Sequence, residues 1–170
     1  MLTTMKTLFI LRHAKSSWDD SSLSDHDRPL NRRGKLAAHR MGRLLDDEHL
    51  WPDLILSSTA ERAATTTQRV VDAGGESGGF AGEIAYLNEL YGAGPHDIIE
   101  IVRELGDEAG SVMVVAHNPG LEDLVHQMTG EYHRLPTAAL VRILVPIDHW
   151  RDLEADGGTL VGIWQPKELD

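Results

Sequence analysis

The sequence predicts an α/β protein, a three-layer sandwich with a mostly parallel central sheet and helices on both faces. Three observations carry that expectation. The runs Leu8-Phe9-Ile10-Leu11 and Val112-Met113-Val114-Val115-Ala116 are continuously apolar rather than alternating, as parallel strands covered on both faces tend to be. Strand-like runs alternate with stretches of helical period in the order βαβαβαβαββ. Both apolar runs lead directly to a histidine, His13 after Arg12 and His117 after Ala116. In open sheets of this kind the ligand crevice lies beyond the carboxyl ends of the strands, so histidines far apart in sequence can meet there.

Lys6 to Leu11 is the first strand, followed by polar loop to about Leu30. Asn31 is a suitable N-cap for a helix to about Asp47, with Leu36, Ala37, Met41, Leu44 and Leu45 near helical spacing. Leu54-Ile55-Leu56 is a short second strand. Ser58-Thr59-Ala60-Glu61 has the capping-box form, which starts a helix at Ser58 and puts Arg62 in its first turn. That helix ends near Gly74-Gly75, and Gly74 to Gly79 is expected to be a flexible surface connection. A short strand around Ile84-Ala85-Tyr86 follows. Pro95 opens a helix carrying Ile98, Ile99, Ile101, Val102 and Leu105. Val112 to Ala116, a helix from Gly120 to about Thr129, and strands at Ala138 to Val145 and Thr159 to Trp164 complete the order.

At 170 residues the chain falls within the range of one domain, and a single domain spanning 1–170 is expected. The absence of cysteine excludes disulfides, thiolate metal sites and a cysteine nucleophile; it fits a reducing compartment, and the expected location is cytoplasmic. No segment approaches the ~20 apolar residues of a membrane span. The formal charge of −11 argues against nucleic acid or an anionic membrane as a general partner, because both are bound largely through Lys and Arg. Basic residues are instead concentrated locally: Arg12, Lys15, Arg28, Arg32, Arg33, Lys35 and Arg62 all fall in the first part of the chain. Together with the helix N-terminus expected after Asn118-Pro119-Gly120, they describe a cationic pocket in an acidic body, suited to a phosphate. No heptad or exposed apolar helix demands assembly, and a monomer is expected.

Arg12-His13 at a strand end, Ser58-x-x-x-Arg62-Ala63 at a helix start and His117 at a later strand end resemble the histidine phosphatase superfamily. Within it the chain is most similar to small SixA-type phosphohistidine phosphatases, through Leu11-Arg12-His13-Ala14-Lys15-Ser16-Ser17-Trp18, Asp27-Arg28-Pro29-Leu30-Asn31-x-x-Gly34 and Val115-Ala116-His117-Asn118-Pro119. The resemblance implies a phosphoglycerate mutase-like fold, a covalent phospho-His13 intermediate hydrolysed by water, and no required metal or other cofactor. Many members read Arg-His-Gly where Ala14 stands here; alanine is small enough to keep a pocket open.

The residue types suit that chemistry. Neutral imidazole is a nitrogen nucleophile at physiological pH, which gives His13 the attack on phosphorus. Guanidinium forks bind phosphoryl oxygens bidentately, the role expected of Arg12 and Arg62, with Asn118 also placed among the phosphate-binding residues. His117 donates a hydrogen bond to a phosphate oxygen, as imidazolium once negative charge beside it raises its pKa. Activity is expected to fall below about the reference pKa of 6.5 unless neighbouring arginines push His13 lower. An alkoxide leaving group needs a general acid, whereas imidazole needs less help. Asn118 cannot donate as an acid directly after the second histidine. Glu89, in Leu87-Asn88-Glu89-Leu90-Tyr91-Gly92, is the other position for a carboxylic acid, against a purely structural role.

Two enzyme readings result: a phosphatase of protein phosphohistidine, and a phosphatase of small phosphomonoester metabolites with Glu89 as acid. A phosphate-binding module without turnover is the reading from another class; an intact His13 argues against it, since binding alone needs donors rather than a nucleophile. A mutase needs inserted segments for which this chain has little room. His26, His39, His49, His96, His126, His133 and His149 are expected to be surface or structural residues, with no spacing for a metal. Trp18 and Met41 are read as packing residues, Arg32-Arg33 as helix surface, and Asp19, Asp20, Asp25 and Asp27 as a solvated acidic loop without EF-hand spacing.

Overall fold

The computed structural model describes residues 4–75 and 78–169. Among these, six strands and four α-helices alternate: β1 (Lys6–Arg12), α1 (Arg32–Asp47), β2 (Leu54–Ser58), α2 (Glu61–Asp72), β3 (Glu83–Leu87), α3 (Pro95–Arg103), β4 (Ser111–Ala116), α4 (Gly120–Thr129), β5 (Leu140–Val145) and β6 (Thr159–Trp164). They form one sheet in the order β3-β2-β4-β1-β5-β6. The first four strands of that order pair in parallel, while β5 and β6 close the sheet antiparallel.

The continuous apolar runs have the predicted cause. Leu8 and Ile10 of β1, with Val112 and Val114 of β4, face one core together with Ile98 and Val102 of α3 and Leu121, Leu124 and Val125 of α4. Phe9 and Leu11, with Met113 and Val115, face the other core with Met41 and Leu45 of α1 and Ala63 and Val70 of α2. Successive side chains of a strand point to opposite faces, so a strand between two helical layers must be apolar at every position.

Helix starts follow three different devices. Asn31 caps α1 as expected, its Oδ1 accepting from Gly34 N at 2.8 Å. Pro95 occupies the first turn of α3, where Asp97 Oδ2 accepts from Gly94 N at 3.1 Å. The capping box expected at Ser58 does not form. Helix α2 begins at Glu61 with Ala60 as N-cap, while Ser58 is the last residue of β2 and its hydroxyl turns inward. The parallel pairing of β2 through Ser58↔Leu87 keeps that residue extended.

The last segment also departs from expectation. Strand β5 starts at Leu140 rather than Ala138, because Ala138 has φ 63° and donates its N–H to the carbonyls of Arg12 and His13 at 3.1 and 3.0 Å. A left-handed alanine costs energy that the surrounding contacts must offset, and it sits against the backbone of the first histidine. The connection expected at Gly74 to Gly79 includes residues 76 and 77, which lie outside the described residues. On either side of them, Gly75 N and Gly79 N point to the buried Asp46 carboxylate at 3.5 and 3.3 Å. Among the described residues no helix is long and apolar enough to cross a membrane.

Candidate active site

Strands β2, β4 and β1 are neighbours, and their carboxyl ends deliver Ser58, His117 and His13 to one place. The His13 and His117 ring centroids lie 5.0 Å apart with planes tilted by 53°. Arg12, His13, Arg62, His117, Asn118 and Arg28 line a single open cleft, with the exposed Lys15 and Trp18 beside them.

His13 is 7% exposed. Its Nδ1 lies 2.7 Å from the Ala14 carbonyl oxygen. A carbonyl only accepts, so Nδ1 carries the proton and Nε2 of the neutral ring holds the free lone pair. The turn is anchored from α2: Ala14 N donates to Thr66 Oγ1 at 2.9 Å, and that hydroxyl donates to the Arg62 carbonyl at 2.6 Å. It is anchored again from α1, where Asn31 N donates to the Lys15 carbonyl at 3.0 Å. Gly34 makes this approach possible, since a Cβ there would stand 2.1 Å from the Lys15 oxygen.

His117 Nε2 pairs with Ser58 Oγ at 2.8 Å, and the same oxygen accepts from Ala60 N at 3.2 Å. Arg12 Nη1 donates to the Leu135 carbonyl at 2.9 Å. Arg62, 6% exposed, gives Nη1 to the Asp25 carbonyl at 2.6 Å and Nη2 to Asp25 Oδ2 at 3.0 Å. Among the described residues, Arg12 Nε, Arg62 Nε and His117 Nδ1 are buried without a hydrogen-bond partner. Three of the four such atoms among the described residues belong to the cleft, the fourth being Arg142 Nε, and groups of this kind are exceptions in native interiors that call for a reason.

Electrostatics follow from burial. Burial first, then the cationic neighbours, push His13 down to about 3. His117 is pushed down to about 4 for the same reasons, burial first and Arg62 next. Both rings are neutral at physiological pH, and arginines hold the positive charge. The sequence expectation that activity weakens below 6.5 therefore moves to lower pH as far as His13 is concerned.

Asn118 lies at the cleft, but its side chain is engaged: Nδ2 donates to the Leu135 carbonyl at 2.9 Å, and Oδ1 accepts from Glu122 N at 3.3 Å. It shares Leu135 with Arg12 and ties α4 to that arginine. Glu89 is not brought to the cleft. It is exposed in the 3-10 turn Asn88–Leu90 and does not line the pocket.

The residue that this turn does send to the site is Tyr91. Its ring stands edge-on to His117 at 5.6 Å, and its hydroxyl donates to Asp25 Oδ2 at 2.6 Å. Asp25 is thus no member of a merely solvated loop, because it also accepts from Arg62 and from Arg28 Nε at 3.2 Å. The Tyr91 hydrogen bond and then Arg62 hold its carboxyl down at about 2. Arg28, 8% exposed, donates to Ser16 Oγ at 2.8 Å and lies 3.5 Å over the Trp18 ring. Trp18 is itself 75% exposed, so it packs on an arginine at the site rather than in the core; Met41 is core, as read. His26, read as surface or structural, is partly exposed and pairs with Thr59 Oγ1 at 3.0 Å. The sequence assigned Asp25, Arg28 and Tyr91 no individual role at the site, although Arg28 belonged to the basic cluster expected to form the pocket and Tyr91 to the motif that carried Glu89.

The profile of the histidine phosphatase superfamily (branch 1) matches residues 8–79, the stretch that carries Arg12, His13, Arg28 and Arg62. An uncharacterized protein of Mycobacterium tuberculosis (strain H37Rv) is 32% identical over 170 residues, covering 92% of this chain and 100% of that one. Among solved structures, a candidate phosphohistidine phosphatase SixA from Agrobacterium tumefaciens superposes with a TM-score of 0.80 at 31% identity, covering 95% of this chain and 98% of that one. A second candidate SixA, from Nakamurella, gives 0.81 at 27% identity over 98% and 99% of the two chains. With strand order, paired histidines and near full-length likeness in agreement, the chain belongs to the histidine phosphatase superfamily, as a SixA-like member.

Proposed function

We propose that the chain is a phosphatase that works through a phosphohistidine intermediate on His13 and acts on protein phosphohistidine. The observation carrying this is the cleft lining: two neutral histidines and three arginines converge, and none of the lining residues is a carboxylic acid. In the first step Nε2 of His13 uses its lone pair to form a bond to phosphorus while the bond to the leaving nitrogen breaks; the substrate ring, protonated beforehand on its other nitrogen, departs as neutral imidazole, and phospho-His13 keeps its own proton on Nδ1. Arg12 and Arg62 stabilise the charge on the equatorial oxygens, a task that is mostly positioning and electrostatics. His117, neutral in the free protein, gains affinity for a proton once the phosphoryl group is beside it and donates to an oxygen. In the second step water adds to phosphorus and the bond to His13 breaks; both water protons leave with the product as dihydrogen phosphate, and the neutral ring with its Nδ1 proton is restored. This chemistry assigns no step to a metal ion.

The substrate assignment rests on the leaving group. An alkoxide needs a proton, and Asp25, the carboxyl bonded to Arg62, is ionised and committed to that arginine. A phosphohistidine ring already protonated on its other nitrogen leaves as neutral imidazole without one. Turnover of a phosphohistidine peptide, an aryl phosphate and alkyl phosphomonoesters in EDTA, with His13→Ala as the blank, tests the assignment. Preference for the phosphoramidate is expected. Equal or faster turnover of alkyl esters, lost in Glu89→Gln, would instead establish the metabolite reading.

A further inference from the structure

A second groove opens beside the cleft and is continuous with it, since Lys15 and Thr137 line both. Its wall is one face of α1, where Arg33, Leu36, Ala37 and Arg40 recur at helical spacing. Opposite them stand Pro136 and the segment Gln165-Pro166-Lys167 that follows β6. Lys15, Arg33, Arg40 and Lys167 are all exposed, and among the described residues none of their side chains makes an ion pair or hydrogen bond. No carboxylate lines the groove; Asp47 and Glu48 stand beyond Arg40 at the end of α1, with Glu168, the residue after Lys167, beside them. Leu36, half exposed, supplies an apolar floor.

From this we infer that the groove docks an acidic segment of the phosphorylated protein and so presents its phosphohistidine to His13. The inference rests on the substrate class proposed above and deepens it. Four unpaired cations on an apolar strip, in a body of net charge −11, form an attractive region for a negative partner. Such an arrangement steers approach and fixes register, because an acidic partner is favoured only where its negative side chains lie along α1 and its phosphoryl group meets the cleft. The groove's lining includes none of Arg12, His13, Arg62 and His117, and its open form with an apolar strip suits a polypeptide. Nucleic acid would meet the same cations, but its uniform charge would bring repulsion from the acidic flanks along its whole length.

The test compares the wild type with Arg33→Glu/Arg40→Glu and with the charge-neutral Arg33→Gln/Arg40→Gln. Binding of a fluorescein-labelled polyglutamate peptide is measured by anisotropy. Turnover is measured on phosphohistidine peptides with glutamate or glycine flanks and on p-nitrophenyl phosphate. Binding of the polyglutamate is expected to fall by about tenfold or more in the Glu variant and less in the Gln variant, with the loss shrinking at high salt. The preference for acidic flanks should disappear through KM, while p-nitrophenyl phosphate turnover stays at the wild-type rate. Unchanged polyglutamate binding would overturn the inference, as would equal losses on all substrates. Tighter, groove-dependent binding of a single-stranded oligonucleotide would overturn the acidic-protein occupant. If the wild type ignores phosphohistidine yet binds polyglutamate through Arg33 and Arg40, the groove stands and the substrate reading falls.

Discussion

The cleft has two unlike walls. The inner wall is the carboxyl ends of β1, β2 and β4, buried, and held by backbone bonds such as His13 N to the Ala116 carbonyl at 3.1 Å. The outer wall is loop: the 3-10 turn at Asp25–Asp27, with Arg28, Trp18 and Tyr91, joined by side-chain contacts among partly exposed groups. The difference separates tasks. A nucleophile must be held neutral and aimed, which needs burial and a rigid sheet; an arginine that grips a phosphoryl group need only be oriented, and a half-exposed carboxylate does that while leaving solvent access.

That contrast predicts a descending series of effects. If His13 is the nucleophile, as proposed, replacing it with alanine should lower turnover by on the order of 10³-fold or more. Arg62→Ala should cost about 10²–10³ in kcat, the loss expected for one preorganised charge donor. A result as mild for Arg62 as for the outer loop would erase the distinction between the walls. Gly34→Ala should destabilise by about 1–3 kcal/mol through the collision with the Lys15 carbonyl, read as a lower denaturant midpoint. At the outer wall, Tyr91→Phe removes one hydrogen bond to Asp25 and should raise KM by only about two- to tenfold, with kcat held.

The buried histidines also make the inner wall sensitive to acid. His13 and His117 bind protons near 3 and 4 when folded and near 6.5 when unfolded, so the unfolded state binds more protons between those values. Stability is therefore full above about 6.5 and falls as pH drops toward 3, by about 2 kcal/mol per histidine between pH 7 and 5. Urea titrations of the wild type and of His117→Gln at both pH values check this, and an equal acid loss in the two would contradict it. Inorganic phosphate should raise the His117 midpoint in an NMR titration.

The same division explains what could be read from sequence. Continuous apolar runs ending on histidine specify strands and the place where they terminate, so the meeting of His13 and His117 at one sheet edge was legible in the pattern, whereas Arg12 and Arg62 entered through the family resemblance, Arg62 by itself reading as an ordinary helix arginine. Ser58 was misread because its capping pattern competes with pairing to Leu87, a contact between strands that local spacing does not encode. Asp25 and Tyr91 meet across 66 positions of chain through side chains alone, and no local periodicity announces such a bond. Glu89 was read from a motif whose neighbour, two residues on, is the one that turns toward the cleft.

The hydrogen bond from His13 Nδ1 to the Ala14 carbonyl fixes which nitrogen can be phosphorylated. On the proposed chemistry, only the Nε2 phosphoramidate forms, and a phosphohistidine substrate exchanges one imidazole–phosphorus bond for another of the same kind. The first transfer is then close to thermoneutral and runs in both directions, so a free imidazole added in excess should draw labelled phosphoryl groups back off the protein. Direction comes from water alone: the second step makes the reaction one-way.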